Sequence, residues 1–402
     1  MTERTVALRS RAAHAAPAAL VLLALSLTAL AALFAALDAA MPDAVVYRAE
    51  GAAVVHGRDL YGFTITEGRL PATYPPFAAL LFVPTVWLPV PVLKAVFCAG
   101  NAFLLAWLVH LSARLAGRRA GLPLVCAATA LAVWLEPVFQ TFVYGQINLA
   151  VTCLVLGDLT RPPGARGRGA LIGVAAGIKL TPGLFIPYLL LRGRVREAAT
   201  ATAAFAATAA VGALALPAAS VGYWTRHLFD TGRVGKPWIT ANQSLQGLVA
   251  RVLGEPSPGL AWVLPAVAVG ATGLWLAARA PRERWGVLLT GLTALLVSPI
   301  SWSHHWVWCV PLIAVLLAEG HRLWAALTAV LFTTRTMWLV PRKGLELHLD
   351  WWQQPLASPY ALLTCAVLAS VLLRQENVRV VEDPQHDQQQ AASGHHVLGD
   401  DL

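Results

Sequence analysis

Charge is scarce in this chain of 402 residues: Asp, Glu, Lys and Arg make up 13% of it, about half the share of a soluble domain. With 57% of residues apolar, that scarcity excludes an ordinary soluble enzyme and a disordered protein. Cysteine is scarce too. Cys98, Cys126, Cys153, Cys309 and Cys365 all lie in apolar stretches without CxxC spacing, which argues against a disulfide scaffold or a cysteine-held metal and for small buried hydrophobes. No GxGxxG, Walker loop, catalytic-triad signature or HExxH occurs. No repeat of solenoid length is visible either.

What the chain has in abundance is apolar runs of about 20 residues, the length that spans a bilayer; the first is uncharged. Residues 15–37 form the first, after Arg4, Arg9 and Arg11. A cleaved signal peptide is one reading of it; a first spanning helix is preferred, since the run is long and many others follow. A polar loop, 38–74, comes next. Its start, PDAVVYRAEGAAVVHG, has apolar residues at near-helical spacing and predicts a short helix along the membrane surface, bounded by Pro42 and Gly57. Further runs cover 76–92, 93–113, 121–138, 146–160, 169–191, 197–216, 259–279, 285–300, 302–318, 321–339 and 357–373.

The formal charge is +9, from 30 basic and 21 acidic residues. Nucleic acid is one partner for such a balance, but the arginines recur in short groups between apolar runs, as in cytoplasmic loops beside an anionic leaflet. Placing the groups at 4–11, 114–119, 161–168, 192–196, 279–284 and 374–379 inside, with Arg322, accounts for 18 of the 30 basic residues. Loops 38–74, 217–258 and 340–356 then fall outside. Parity makes 76–92 a half-span or interfacial piece and requires 169–191 to cross twice, hinged near Lys179 and Pro182. The expectation is an all-α, multi-pass plasma-membrane protein with about twelve crossings and both termini cytoplasmic. Residues 1–373 form one transmembrane domain, and 374–402 a disordered cytoplasmic tail rich in Gln and His.

That topology gathers the unusual polar residues near the outer face, and ionisable groups at membrane depth are costly enough to suggest function. Asp43 can act as a general base or simply favour a helix N-terminus. Lys179 can bind an anion as a point charge or snorkel to the interface. His304 and His305 can donate to a leaving oxygen or belong to an aromatic belt with Trp302, Trp306 and Trp308. Gln146 and Asn148 can recognise a sugar or bond neighbouring helices. Arg335, Arg342 and Lys343 sit where a phosphate can be held, while Trp224, Trp238, Trp351 and Trp352 can stack on sugar rings or serve as belt residues. No metal motif stands out, and a divalent ion is left open.

Six segments, in order, carry a resemblance: PDAVVYRAEGAAVVHGRDLYG, ATYPPFAALLFVP, YGQINLAV, GVAAGIKLTPGLFIPYLLLRGR, NQSLQGLVAR and SPISWSHHWVW. Together, over roughly residues 40–310, they resemble the polyprenyl-phosphate-mannose-dependent α-1,2-mannosyltransferases of glycosyltransferase family 87, with the GT-C fold. The resemblance implies a mannosyl or related donor on a polyprenyl phosphate and a glycolipid or lipoglycan acceptor at the outer face. It also implies inversion, no cofactor and no nucleic acid. Asp43 matches the family's acidic residue where the base is expected. Lys179, His304 and His305 match positions around donor phosphate and acceptor, and Arg48, Tyr74, Gln146, Asn148 and Arg335 are candidates for the same binding role. A lipid-carried donor also suits a chain without a nucleotide-binding motif. A polar-lipid transporter or flippase is the alternative, since broken helices and buried lysines occur there too; paired internal repeats would mark it, and none is found.

Overall fold

The computed structural model describes residues 3–66 and 68–374, so the predicted disordered tail, beyond Arg374, lies outside the described residues. The apolar runs become helices. α1 (Glu3–Ala36) carries the first, and α2 (Pro42–Val55) forms the helix expected early in the polar loop. A two-stranded antiparallel hairpin follows, β1 (Thr64–Ile65) and β2 (Leu70–Pro71), pairing Thr64 with Pro71. α3 (Pro76–Phe82) and a 3-10 turn to Trp87 replace a full span over 76–92. Pro89 and Pro91 then start α4 (Val90–Leu115) three residues earlier than the sequence suggested, proline being well placed in a first helical turn because no N–H is needed there.

The run expected as a single span from 121 is bent. α5 (Leu122–Ala132) stops, and α6 (Glu136–Tyr144) leaves at 77°. Pro137 lacks the N–H that would continue the α5 ladder. The buried Glu136 carboxylate instead accepts hydrogen bonds from Tyr360 Oη at 2.8 Å and Trp338 Nε1 at 3.0 Å. Burying that carboxylate is tolerable only with such partners.

α7 (Asn148–Leu159), α8 (Ala170–Ile178), α9 (Phe185–Leu191) and α10 (Val195–Ala215) follow. α8 and α9 are the two short helices expected either side of Lys179, whose extended backbone (φ −150°, ψ 124°) ends α8. Both ends of this hairpin return to one cluster of charges. Arg168, just before α8, bonds Glu197 near the start of α10 at 3.0 Å and Glu283 at 2.8 Å. Arg194 pairs with Glu283 as well. Asp158, at the end of α7, accepts the backbone N–H groups of Gly169, Leu171 and Ile172 and so caps α8. Arg168, read from the sequence as a cation facing the leaflet, is therefore a buried tie between α7, α8, α10 and α14. The Asp158 and Leu159 carbonyls and two carboxylates satisfy it in place of lipid headgroups.

The chain continues through α11 (Pro217–Gly222), α12 (Leu245–Leu253), α13 (Leu260–Arg279), α14 (Glu283–Val297), α15 (Cys309–Ala318), α16 (Arg322–Thr334), the single turn α17 (Gln354–Ala357) and α18 (Pro359–Arg374). Residues 286–296 of α14 are buried without interruption, so this apolar helix is covered by protein on all sides. Among the described residues, four helices are long and apolar enough to cross a membrane: Ala16–Ala36, α4, α10 and α13; the bent α5–α6 pair makes a fifth. Each of the four buries only 22–28% of its most apolar stretch, leaving the rest to face lipid. Helix length and composition alone account for four or five crossings; they do not confirm the expected count of about twelve. Several apolar runs instead form helices of 7 to 13 residues; a 12-residue helix rises ~18 Å against a hydrocarbon core of ~30 Å.

Candidate active site

The site begins with one face of α2. Asp43, Val46, Tyr47 and Glu50 follow i, i+3, i+4, i+7 spacing, and all four line a single cavity of about 680 Å³. A volume of that order suits a small-molecule or headgroup site. α2 can lie there because Gly145 closes α6 with φ 67°; a Cβ on Gly145 would sit 2.7 Å from Ala44 Cβ. The glycine lets the α6 terminus touch the first turn of α2, and the next residue, Gln146, thereby reaches Asp43.

Gln146 is the hub. Its Nε2 donates to Asp43 Oδ2 at 2.5 Å. Its Oε1 accepts from Tyr47 Oη at 2.8 Å, and at 3.3 Å from both Tyr74 Oη and Asn148 Nδ2. Asn148 turns its own oxygen to Lys179 Nζ at 2.8 Å. Lys179 also lies 2.9 Å from His305 Nε2, 3.5 Å from Tyr74 Oη and 5.3 Å from the centre of the Tyr74 ring. A charged lysine has only donors, so His305 Nε2 accepts and its Nδ1 carries the proton. Asp43 and Lys179 are thus joined through two amides, Gln146 and Asn148, and both open on the same cavity. Burial pushes Asp43 up to about 6, opposed by the Gln146 hydrogen bond and the Lys179 charge. A carboxyl near 6 suits a base working close to neutral pH.

His304 also lines the cavity, and its Nε2 is buried without a partner. The ring packs on Tyr144 at 5.1 Å and edge-on to His305 at 4.8 Å. The two histidines thus face different neighbours, as adjacent residues on a helical turn must. The carriers of these rings are held by the NQS segment. Asn242 bridges the Pro237 and Pro299 carbonyls and accepts from Ser301 N–H at 2.8 Å. Gln243 spans Thr240, Ala357 and Tyr360. Ser244 caps α12. Buried Arg251 donates to the Trp238, Ile239 and Asn242 carbonyls and to Ser358 Oγ; its burial lowers its pKa to about 9.

Asp43, Tyr74, Gln146, Lys179, His304 and His305 all line the cavity, and Asn148 stands directly behind it. Arg48 and Arg335 are engaged elsewhere. The Arg48 guanidinium donates to the Leu88 and Val86 carbonyls at 3.2 Å, closing the turn after α3. Arg335 lies 4.1 Å from the centre of the Phe139 ring. Arg342 sits over Trp338, and Trp351 is 84% exposed, away from the cavity. Lining residues that sequence reasoning passed over include Glu50, Tyr47, Tyr144, Tyr223 and Trp338. The seven-residue step from Asp43 to Glu50 was the available signal, since it places both carboxyls on one helical face. Among the described residues, no three His, Cys, Asp or Glu side chains converge on a point that could hold a metal.

Comparison with known proteins gives one family match. The model of glycosyltransferase family 87 matches residues 72–299. The polyprenol-phosphate-mannose-dependent alpha-(1-2)-phosphatidylinositol mannoside mannosyltransferase of Mycobacterium tuberculosis is 34% identical over 81% of this chain and 83% of its own length. Its counterpart in Mycolicibacterium smegmatis is 33% identical over 82% and 83%. The pentamannoside mannosyltransferase of Mycobacterium tuberculosis is 34% identical over 84% and 82%. Among solved structures, ArnT from Cupriavidus metallidurans bound to undecaprenyl phosphate overlays with a TM-score of 0.41 at 16% identity, over 92% of this chain and 78% of that one.

Proposed function

The chain belongs to glycosyltransferase family 87 and is a polyprenol-phosphate-sugar-dependent mannosyltransferase, and from that premise we propose that it moves a mannosyl unit to a phosphatidylinositol-mannoside-type glycolipid at the outer face of the plasma membrane. In this reading the product linkage is α-1,2, formed with inversion from a β-linked donor, on a GT-C-type scaffold. The observation that carries the reading is the meeting of a carboxyl, Asp43, and a cation, Lys179, in one cavity whose remaining wall includes the apolar Leu184, Ala294, Val297 and Ile300.

The chemistry assigns a role to each part. Asp43 accepts the proton of the attacking acceptor hydroxyl as its oxygen bonds to the anomeric carbon of the donor sugar. The bond from that carbon to the phosphate oxygen breaks, and the polyprenyl phosphate leaves with the electron pair. A phosphate monoester needs charge stabilisation more than a proton, and Lys179, positioned by Asn148 and the neutral His305, supplies it. Gln146 fixes the Asp43 carboxylate from one side and leaves Oδ1 for the acceptor. The apolar wall takes the first isoprene units of the donor.

Membranes bearing the protein, radiolabelled polyprenyl-phosphate mannose and a glycolipid acceptor extract provide the test. Label moves into glycolipid with the wild type and is lost in Asp43→Asn, which keeps the side-chain shape and removes the base. Undiminished transfer in Asp43→Asn removes Asp43 from the mechanism; no transfer with the wild type removes the donor and acceptor assignment.

A further inference from the structure

The cavity holds a second carboxyl that the transfer step does not use. Glu50 lies two helical turns beyond Asp43 on the same face of α2, about 10 Å along the helix axis. It is 2% exposed and forms part of the cavity wall. The Thr73 backbone N–H donates to the carboxyl, yet among the described residues Oε1 has no partner. An unpartnered buried oxygen is expensive, and a native one asks for a reason. Among the described residues no cation pairs with it in compensation: the Lys179 and Arg233 side chains are committed to Asn148 and His305, and to the Tyr61 and Ala72 carbonyls. Burial, helped by the nearby Asp43 charge, drives the Glu50 carboxyl well above the ordinary range despite the Thr73 bond. That environment favours the neutral form of the carboxyl, which has one O–H to donate and oxygens to accept.

The surroundings match that pair of functions. Tyr223 and His227 line the same cavity, and His227 packs on Tyr61, an aromatic surface of the kind a sugar ring stacks against. The Asp43 end carries the ionic groups; the Glu50 end carries neutral donors, acceptors and rings. About 10 Å is the reach of two linked pyranose rings. Resting on the mannosyltransferase reading above, we propose that Glu50, with Tyr223 and His227, forms a subsite for an inner sugar of the acceptor while Asp43 serves the hydroxyl that is glycosylated. The enzyme then selects acceptors bearing at least two sugars, and Glu50 is the residue that senses the second.

Steady-state transfer with purified full-length protein in nanodiscs tests this, using polyprenyl-phosphate mannose and synthetic acceptors with one or two mannosyl units on the same lipid. The expected result for Glu50→Leu is a KM for the two-sugar acceptor raised about tenfold, the loss of one well-made hydrogen bond. The one-sugar acceptor KM, the donor KM and kcat stay within a factor of two to three of wild type, a range set here as the threshold for no effect. Glu50→Gln, which keeps one donor and one acceptor, restores most of the two-sugar advantage. His227→Ala, at the cavity rim and without the risk of unfolding the core, lowers the same advantage several-fold. Equal losses on both acceptors, or a shift confined to the donor KM, overturn the subsite. If Glu50→Leu does not fold, Glu50→Gln and His227→Ala decide, and an unchanged one- to two-sugar ratio in His227→Ala counts against it. Absence of transfer by wild type on either acceptor instead refutes the underlying reading, so the two failures are told apart.

Discussion

Two carboxyls on one helical face meet the same cavity in different electrical surroundings, and that difference divides their work. Asp43 has a side-chain amide donor and a lysine within its network, which hold its pKa at about 6 against burial; Glu50 has the Thr73 backbone N–H but no lysine in its network. As a base, Asp43 must be ionised, so kcat/KM should fall about tenfold for each pH unit below about 6 and level off above it. Its effect on stability runs the other way. A folded carboxyl with a pKa above its unfolded value of about 4 favours the native state most at low pH, and that contribution is lost as pH rises through about 6. At pH 7 the ionised Asp43 therefore costs stability, and Asp43→Asn should melt higher than wild type, by on the order of 1 kcal/mol, while transfer drops a hundred- to ten-thousand-fold. Thermal melting in detergent alongside the transfer assay checks both signs. Asp43, Lys179 and the paired histidines were legible in the sequence as polar residues at odd depth. Glu50 was not singled out, because a glutamate in a polar loop looks ordinary until the helix under it is known to be buried.

At the scale of elements, a few contacts decide whether these residues meet. Gly145 is the clearest, because both its positive φ and its closeness to Ala44 need a missing side chain. Gly145→Ala should cost about 1–3 kcal/mol through strain and overpacking. It should also reduce transfer at least tenfold by parting Gln146 from Asp43, an effect read as kcat falling further than donor affinity. The α7–α8–α10 junction is the second case. Arg168 is buried against Glu197 and Glu283, so Arg168→Ala leaves these carboxylates to Arg194 alone and should cost about 2–3 kcal/mol, seen as a lower melting midpoint. The hinge at Lys179 could be read from Lys and Pro interrupting an apolar run. The 77° bend between α5 and α6 could not, because Pro137 is compatible with a helix start and the partners of Glu136 are more than 200 residues away.

For the whole molecule, the arginine groups and the cavity lie toward opposite ends of α7 and α8. Arg168 and Asp158 mark one end, Asn148 and Lys179 the other. If the arginine end is cytoplasmic, Trp351→Cys should react with a membrane-impermeant maleimide on intact cells, and Arg119→Cys only after permeabilisation. Both positions are exposed, and the native cysteines are buried or half-buried. The reverse pattern would invert the topology and place the cavity inside. The sequence by itself determined that this is a helical membrane protein, where its apolar runs and arginine groups fall, and which motifs are candidates for the site, because apolar length and local charge are properties of contiguous residues. Tertiary structure alone decided which runs stay full length and which break into short packed helices. It alone decided that Arg168 and Arg251 are buried ties, that Arg48 and Arg335 turn away from the cavity, and that Glu50 turns into it. Each of those outcomes depends on what lies across a contact from a distant part of the chain, and a buried polar group's energy is set by that partner.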